Sequence, residues 1–249
     1  MSKSNLTIII VEGVSDVAFL SLYISKVYGF KFVSSNNTHK HYVCKYTRSG
    51  VSSDGLLEKR FEDTLYIISA DGHNKMSRTF EEFATPIMGS KLPEGGFIRL
   101  IFLTDADEGE KKVKLPKSLS YVDKDAFLDD ENSNVMESPV WPDREVPYKA
   151  YCSYVPCEGK GCLETLLMEA MSATDEKLIE ESKTFVDGLS DGAGKYLGHA
   201  RLRLKAKIGV AFSLLKPDST FMELNEKFEL INCDDPAIRE QFDFLSFLK

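Results

Sequence analysis

Apolar positions cluster in short runs along the first hundred residues, and each run has the length of a strand. Leu6 to Val11 is continuous and β-branched, with no polar alternation, which predicts a strand buried on both faces. Ser15 is a natural N-cap, and Val17, Leu20, Ile24 and Val27 then recur at helical spacing until Gly29. His41 to Tyr46 predicts a second strand, Ser52 to Phe61 a short helix or turn, and Leu65 to Ser69 a third strand. Ser77 to Met88 carries a helical pattern, and Ile98 to Thr104 is a fourth apolar run. Alternating strands and helices predict an α/β fold, with a central parallel sheet flanked by helices.

The pattern changes after Glu110. Residues 111–147 hold Pro116, Pro139, Pro142 and Pro147 and the acidic run DDEN, which reads as a surface insertion. Tyr148 to Val155 predicts a further strand. Helical spacing then dominates: from Leu163, over Glu176 to Val186, over Lys195 to Leu215 and over Pro236 to Leu248, with DGLSDGAGK as a loop. The organisation expected is a core over 1–110, an insertion over 111–147, and a last strand with C-terminal helices over 148–249, packed as one unit.

Composition narrows the function. The 249 residues are 43% hydrophobic, enough for a sizeable core, and carry 31 basic against 39 acidic side chains, a net charge of -8. A protein that coats nucleic acid through bulk charge is therefore excluded, although a local basic strip is not. No secretory pattern and no bilayer-length apolar run is present. Five scattered cysteines argue for reduced thiols and a cytoplasmic location. Cys152, Cys157 and Cys162 stand five apart, unlike a zinc knuckle.

Two of the predicted strands end on acids: the first on Glu12, the fourth on Asp105 and Asp107. Ligands gather at the carboxyl edge of parallel strands. Carboxylates brought together there repel unless a cation sits between them, and hard oxygen donors suit Mg²⁺ or Mn²⁺. Asp16, one helical turn past Glu12, can face the same ion. Asp71 and His73 follow the third strand, where a turn role is the plainer reading.

The stretches VEGVSD and LTDADEG together resemble the Toprim domain, the catalytic fold of topoisomerases, bacterial primases and several nucleases. Glu12 with Gly13, and Asp105, Asp107 and Gly109, match its two motifs. Small stand-alone Toprim-like proteins resemble the chain over most of its length, through Glu12, Gly13 and Asp16, the segment GCLET, the helix KAKIGVAFSLLK and a final Phe-rich helix. The opening also resembles the Toprim half of the overcoming-lysogenization-defect nucleases. That resemblance implies metal ligands at Glu12, Asp16, Asp105 and Asp107, with a later acid matched here by Glu164, and catalytic roles for Glu12, Asp105 and Asp107. It implies a divalent-metal-dependent nuclease acting on DNA or RNA as a defence- or toxin-type effector. The ATPase half of those nucleases has no counterpart in the chain, so the expected partners are nucleic acid, a separate ATPase or a second copy.

For the polymer, Arg201 with Lys205 and Arg203 with Lys207 form two cationic ridges on one predicted helix, the spacing expected of a phosphate-binding face. A solvated helix face is the plainer reading of the same charges. A non-catalytic module of the same fold that binds nucleic acid or a protein partner is the competing function.

Overall fold

The computed structural model describes residues 3–38, 41–54, 57–90, 98–106, 134–137, 145–156, 160–189, 191–215, 217 and 231–248. Its strands are β1 (Lys3–Val11), β2 (Lys31–Thr38), β3 (His41–Asp54), β4 (Leu57–Ser69), β5 (Ile98–Asp105), β6 (Asn134–Glu137) and β7 (Glu145–Val155). They form one seven-stranded sheet in the order β2-β3-β4-β1-β5-β7-β6. The α/β class and its parallel centre are as the sequence predicts. β1 lies between β4 and β5 and runs parallel to both, with Val11 level with Ser69 on one side and Leu103 on the other. The three strands therefore finish at one edge. Ile8, Ile9, Ile10 and Val11 are all fully buried. Since neighbouring strand residues point to opposite faces, both faces of β1 are covered.

The flanks of the sheet differ from the expected alternation. β2, β3 and β4 form an antiparallel meander with no helix between them. The expected strand at His41 is the start of a 14-residue strand, and β2 has no counterpart in the sequence reading. The helix or turn expected over 52–61 is instead extended chain at residues 52–54 and 57–61. The reason lies across the strands. Gly50 pairs with Phe61, and a Cβ at Gly50 would come within 2.7 Å of the Phe61 ring. The ring covers the glycine, a pairing that local sequence does not announce.

Helix α1 (Val14–Tyr28) follows β1 and buries Val17, Leu20 and Ile24 as the spacing predicts. Its cap is Gly13, not the expected Ser15, which lies inside the first turn. The expected helix at 77–88 is α2 (Met76–Thr79), a π-turn (Phe80–Ala84) and α3 (Thr85–Ser90) in succession. Phe80 meets Phe102 of β5 at a ring distance of 6.0 Å. Of the expected insertion, β6 and the start of β7 are described; the acidic run DDEN and Pro116, Pro139 and Pro142 lie outside the described residues.

The chain divides into two compact units: Met1–Thr104 with Lys111–Tyr154 and Phe247–Lys249, and Asp105–Glu110 with Val155–Ser246. In the second, α4 (Leu163–Thr174) packs against α5 (Glu176–Asp187), α7 (Ala200–Leu215) and the closing helix Pro236–Gln241. Leu163, Leu166, Leu167, Ala170 and Met171 form its buried stripe at helical spacing. The expected loop over 187–195 contains a short helix α6 (Asp191–Gly194), and a 3₁₀ turn (Lys195–Leu197) precedes α7.

Arg48 on β3 ties the first unit together. It reaches Asp63 at 2.9 Å, donates to the carbonyls of Tyr28 (3.3 Å) and Leu248, and lies over the rings of Phe30 and Phe61. Asn5 holds the other oxygen of Asp63 at 3.0 Å. Replacing Arg48 by Met leaves a half-buried carboxylate short of its cation and strands two carbonyls. Urea unfolding of Arg48→Met is expected to show a loss of about 2–3 kcal/mol. A loss within error of zero contradicts the clasp.

Candidate functional site

Glu12 is the first residue beyond β1, and it is 5% exposed. Thr104, near the end of β5, donates its hydroxyl to the Glu12 carboxylate. The backbone around Glu12 is also held: Ala70 N–H donates to Val11 O and Gly72 N–H to Glu12 O, both at 2.8 Å. These bonds stitch the turn after β4 to the end of β1. Asp71 in that turn has a left-handed backbone (φ 57°) and pairs with Lys75 at 2.5 Å on the surface. The turn reading of Asp71 thus matches its placement, and His73 opens the 3₁₀ turn that follows.

Asp16 uses one carboxylate oxygen to accept Gly13 N–H at 2.7 Å, closing the first turn of α1. An acid there also meets the positive end of the helix dipole. Asp107 and Gly109 lie outside the described residues.

The second unit holds a separate cluster built where Asp105, the last residue of β5, meets the start of α4. Asp105 is buried, with 3% of its side chain exposed. One carboxylate oxygen accepts Leu163 N–H, the first donor of α4, at 3.2 Å, and the other is paired with Arg201 of α7. A helix start supplies unsatisfied N–H groups and a favourable dipole for such a carboxylate. Glu164, 9% exposed at its side chain, pairs with Lys205 at 3.3 Å. Between them sits Cys162, the cap of α4. Burial first, then the negative charges of Glu164 and Asp105, push its thiol up to about 12.

Local sequence makes this corner possible. Gly161 has φ 136°, and a Cβ there would approach Thr165 Oγ1 to 2.6 Å. Thr165 in turn accepts Cys162 N–H at 3.2 Å, so the hydroxyl cannot retreat without uncapping α4. The GCLET segment is thus a helix start in which Gly admits the turn, Thr closes it and Glu164 is buried beside it.

The four basic candidates are distributed by the same helix. Arg201 and Lys205 face the buried carboxylates, while Lys207 pairs with Asp187 at 2.8 Å. Arg203 is half-buried, with its guanidinium 3.8 Å from where a Cβ of Gly194 would be. The sequence reading named Glu12, Asp105, Glu164, Arg201 and Lys205, but it did not connect Thr104 or Cys162 with those acids, which they touch. The signal for Thr104 was its place directly before Asp105, and that for Cys162 its place within GCLET, two residues before Glu164.

Among the described residues no group of three or more His, Cys, Asp or Glu side chains is arranged to hold a metal ion. Mg²⁺ does not require one, since it keeps several waters and binds through one or two carboxylates plus substrate phosphate. Buried, oxygen-only donors such as Glu12, Asp105 and Glu164 fit that chemistry. Cys44, Cys152, Cys162 and Cys233 are buried. No described helix is long and apolar enough to cross a membrane.

Three outcomes follow for the GCLET corner. With its thiol near 12 and buried, Cys162 is expected to react with iodoacetamide at pH 8 on the order of 1,000-fold more slowly than an exposed cysteine; comparable rates contradict the placement. Because the folded thiol titrates higher than the unfolded one, its contribution to stability is complete below pH 9 and declines as pH rises toward 12. Gly161→Ala is expected to cost about 2 kcal/mol or more in urea unfolding, and a neutral result contradicts the close approach.

No curated protein matches the sequence. A crystal structure of a hypothetical protein from Pyrococcus horikoshii OT3 aligns over 98% of both chains at 15% identity, with a TM-score of 0.41. The family model described as Protein of unknown function (DUF3226) matches residues 6–248, and the chain belongs to that family.

Proposed function

We propose that the protein is a divalent-metal-dependent nuclease of Toprim type, hydrolysing phosphodiester bonds of DNA or RNA with Mg²⁺ or Mn²⁺. The observation that carries the reading is Glu12. An ionisable carboxylate is kept 5% exposed at the carboxyl end of a strand between two parallel neighbours. Strand β1 ends before it and α1 is capped after it, so secondary structure does not require an acid there. Burying a carboxylate is costly, and sites that do so are enriched in function.

Roles are assigned residue by residue. Glu12, oriented by the Thr104 hydroxyl, is the candidate base that takes a proton from the water attacking phosphorus. Asp105, oriented by Leu163 N–H, is a candidate metal ligand, as is Glu164. Asp107 and Asp16 complete the ligand set implied by the resemblance. A bound divalent ion would neutralise phosphate charge and stabilise the developing oxyanion. A cytoplasmic effector role, with a separate ATPase or a second copy as partner, belongs to the same reading.

A second reading has its own support. Asp105 and Glu164 are already compensated by Arg201 and Lys205, as expected of a fold that keeps its acids for structure and only binds partners.

Plasmid DNA, single-stranded DNA and RNA incubated with Mg²⁺ or Mn²⁺ separate the two. Cleavage is expected, and Glu12→Gln and Asp105→Asn are each expected to lower it about 100-fold or more. Cleavage that survives both substitutions contradicts the assignment. No cleavage, with salt-sensitive binding, favours the binding module.

A further inference from the structure

We propose that Arg201 and Lys205 form a cation clamp on the carboxylates of Asp105 and Glu164, which a divalent ion displaces, turning both side chains outward to phosphate. The inference rests on the metal reading above and adds a resting state to it.

The two cations are one helical turn apart on α7, so they present to the same side. Each meets a different acid, Arg201 with Asp105 and Lys205 with Glu164 at 3.3 Å. Exposure is lopsided within each pair. The carboxylate side chains are 3% and 9% exposed, while Arg201 and Lys205 are 40% and 44% exposed. That difference sets which partner can leave. A buried carboxylate without a counter-charge is strongly unfavourable, so release of one cation is favoured when another takes its place. A long, half-exposed Arg or Lys can swing into water at small cost. Asp105 also stays fixed by Leu163 N–H at 3.2 Å when Arg201 departs.

An incoming divalent cation therefore competes with α7 for the same anions. The released guanidinium and ammonium, still one turn apart, suit phosphate oxygens, with Arg able to engage two at once. Metal and polyanion would then bind with positive coupling, each favouring the state in which the clamp is open.

Calorimetric titration with Mn²⁺ at low ionic strength tests this without any activity readout. Lys205→Gln and Arg201→Gln are each expected to tighten Mn²⁺ binding about tenfold. Lys183→Gln, which removes the same charge from the Lys183–Glu180 pair on α5, is expected to leave affinity unchanged. Should Arg201→Gln fail to fold, Lys205→Gln decides alone, because it leaves the Arg201–Asp105 pair intact. Wild-type binding that is unchanged or weakened in the folded variants overturns the clamp while the metal reading stands. Equal tightening by Lys183→Gln also overturns the clamp, since bulk charge then explains it. Absence of Mn²⁺ binding in the wild type and in every variant overturns the metal reading and the clamp with it.

Discussion

A carboxylate that folding removes from water has to be met by donors or by positive charge, and among the described residues that requirement is imposed at three places. Glu12 is met by Thr104, Asp105 by Leu163 N–H and Arg201, and Glu164 by Lys205. Leaving any one of these acids unanswered would cost several kcal/mol, a large share of what a domain has to spare. The strand ends, the glycine corner before α4 and the seating of α7 are each arranged so that the answer is in place. In the first unit this works through register: β1 and β5 are parallel with Val11 beside Leu103, which puts Thr104 within reach of Glu12. In the second it works through a helix start and one cationic ridge.

These acids are not the residues on which the core relies. The sheet is stabilised by its buried apolar run and by Arg48, which draws β3, β4 and the chain end together. Nor does the helical unit need Glu164 for packing, since the stripe of α4 runs through Leu163, Leu166, Leu167, Ala170 and Met171. Acids that are buried, satisfied and dispensable to the core are natural seats for chemistry. For Asp105 and Glu164 the cations beside them, Arg201 and Lys205, are themselves half-exposed.

Local patterns made much of this readable. Four consecutive buried aliphatics followed by Glu-Gly placed Glu12 at a strand end, and the spacing after Leu163 placed Glu164 in a first helical turn. What local patterns could not show was who answers whom. The Thr104–Glu12 bond closes 92 residues of chain and the Arg201–Asp105 bond 96. Two cationic ridges were visible on α7, but periodicity does not say that one of them faces buried acids. The antiparallel meander was hidden for the same reason: the pairing of Gly50 with Phe61 is a cross-strand contact, and the polar sequence between them reads as a turn. The π-turn at Phe80–Ala84 likewise leaves no mark in the helical spacing around it.

If the buried acids are metal ligands held closed by α7, the most direct measurement is anomalous diffraction from crystals soaked in Mn²⁺. The account predicts a manganese peak bonded to the carboxylates of Asp105 and Glu164, with Arg201 and Lys205 turned away from them. Carboxylates still paired with Arg201 and Lys205 at saturating Mn²⁺, with no peak beside them, would contradict it.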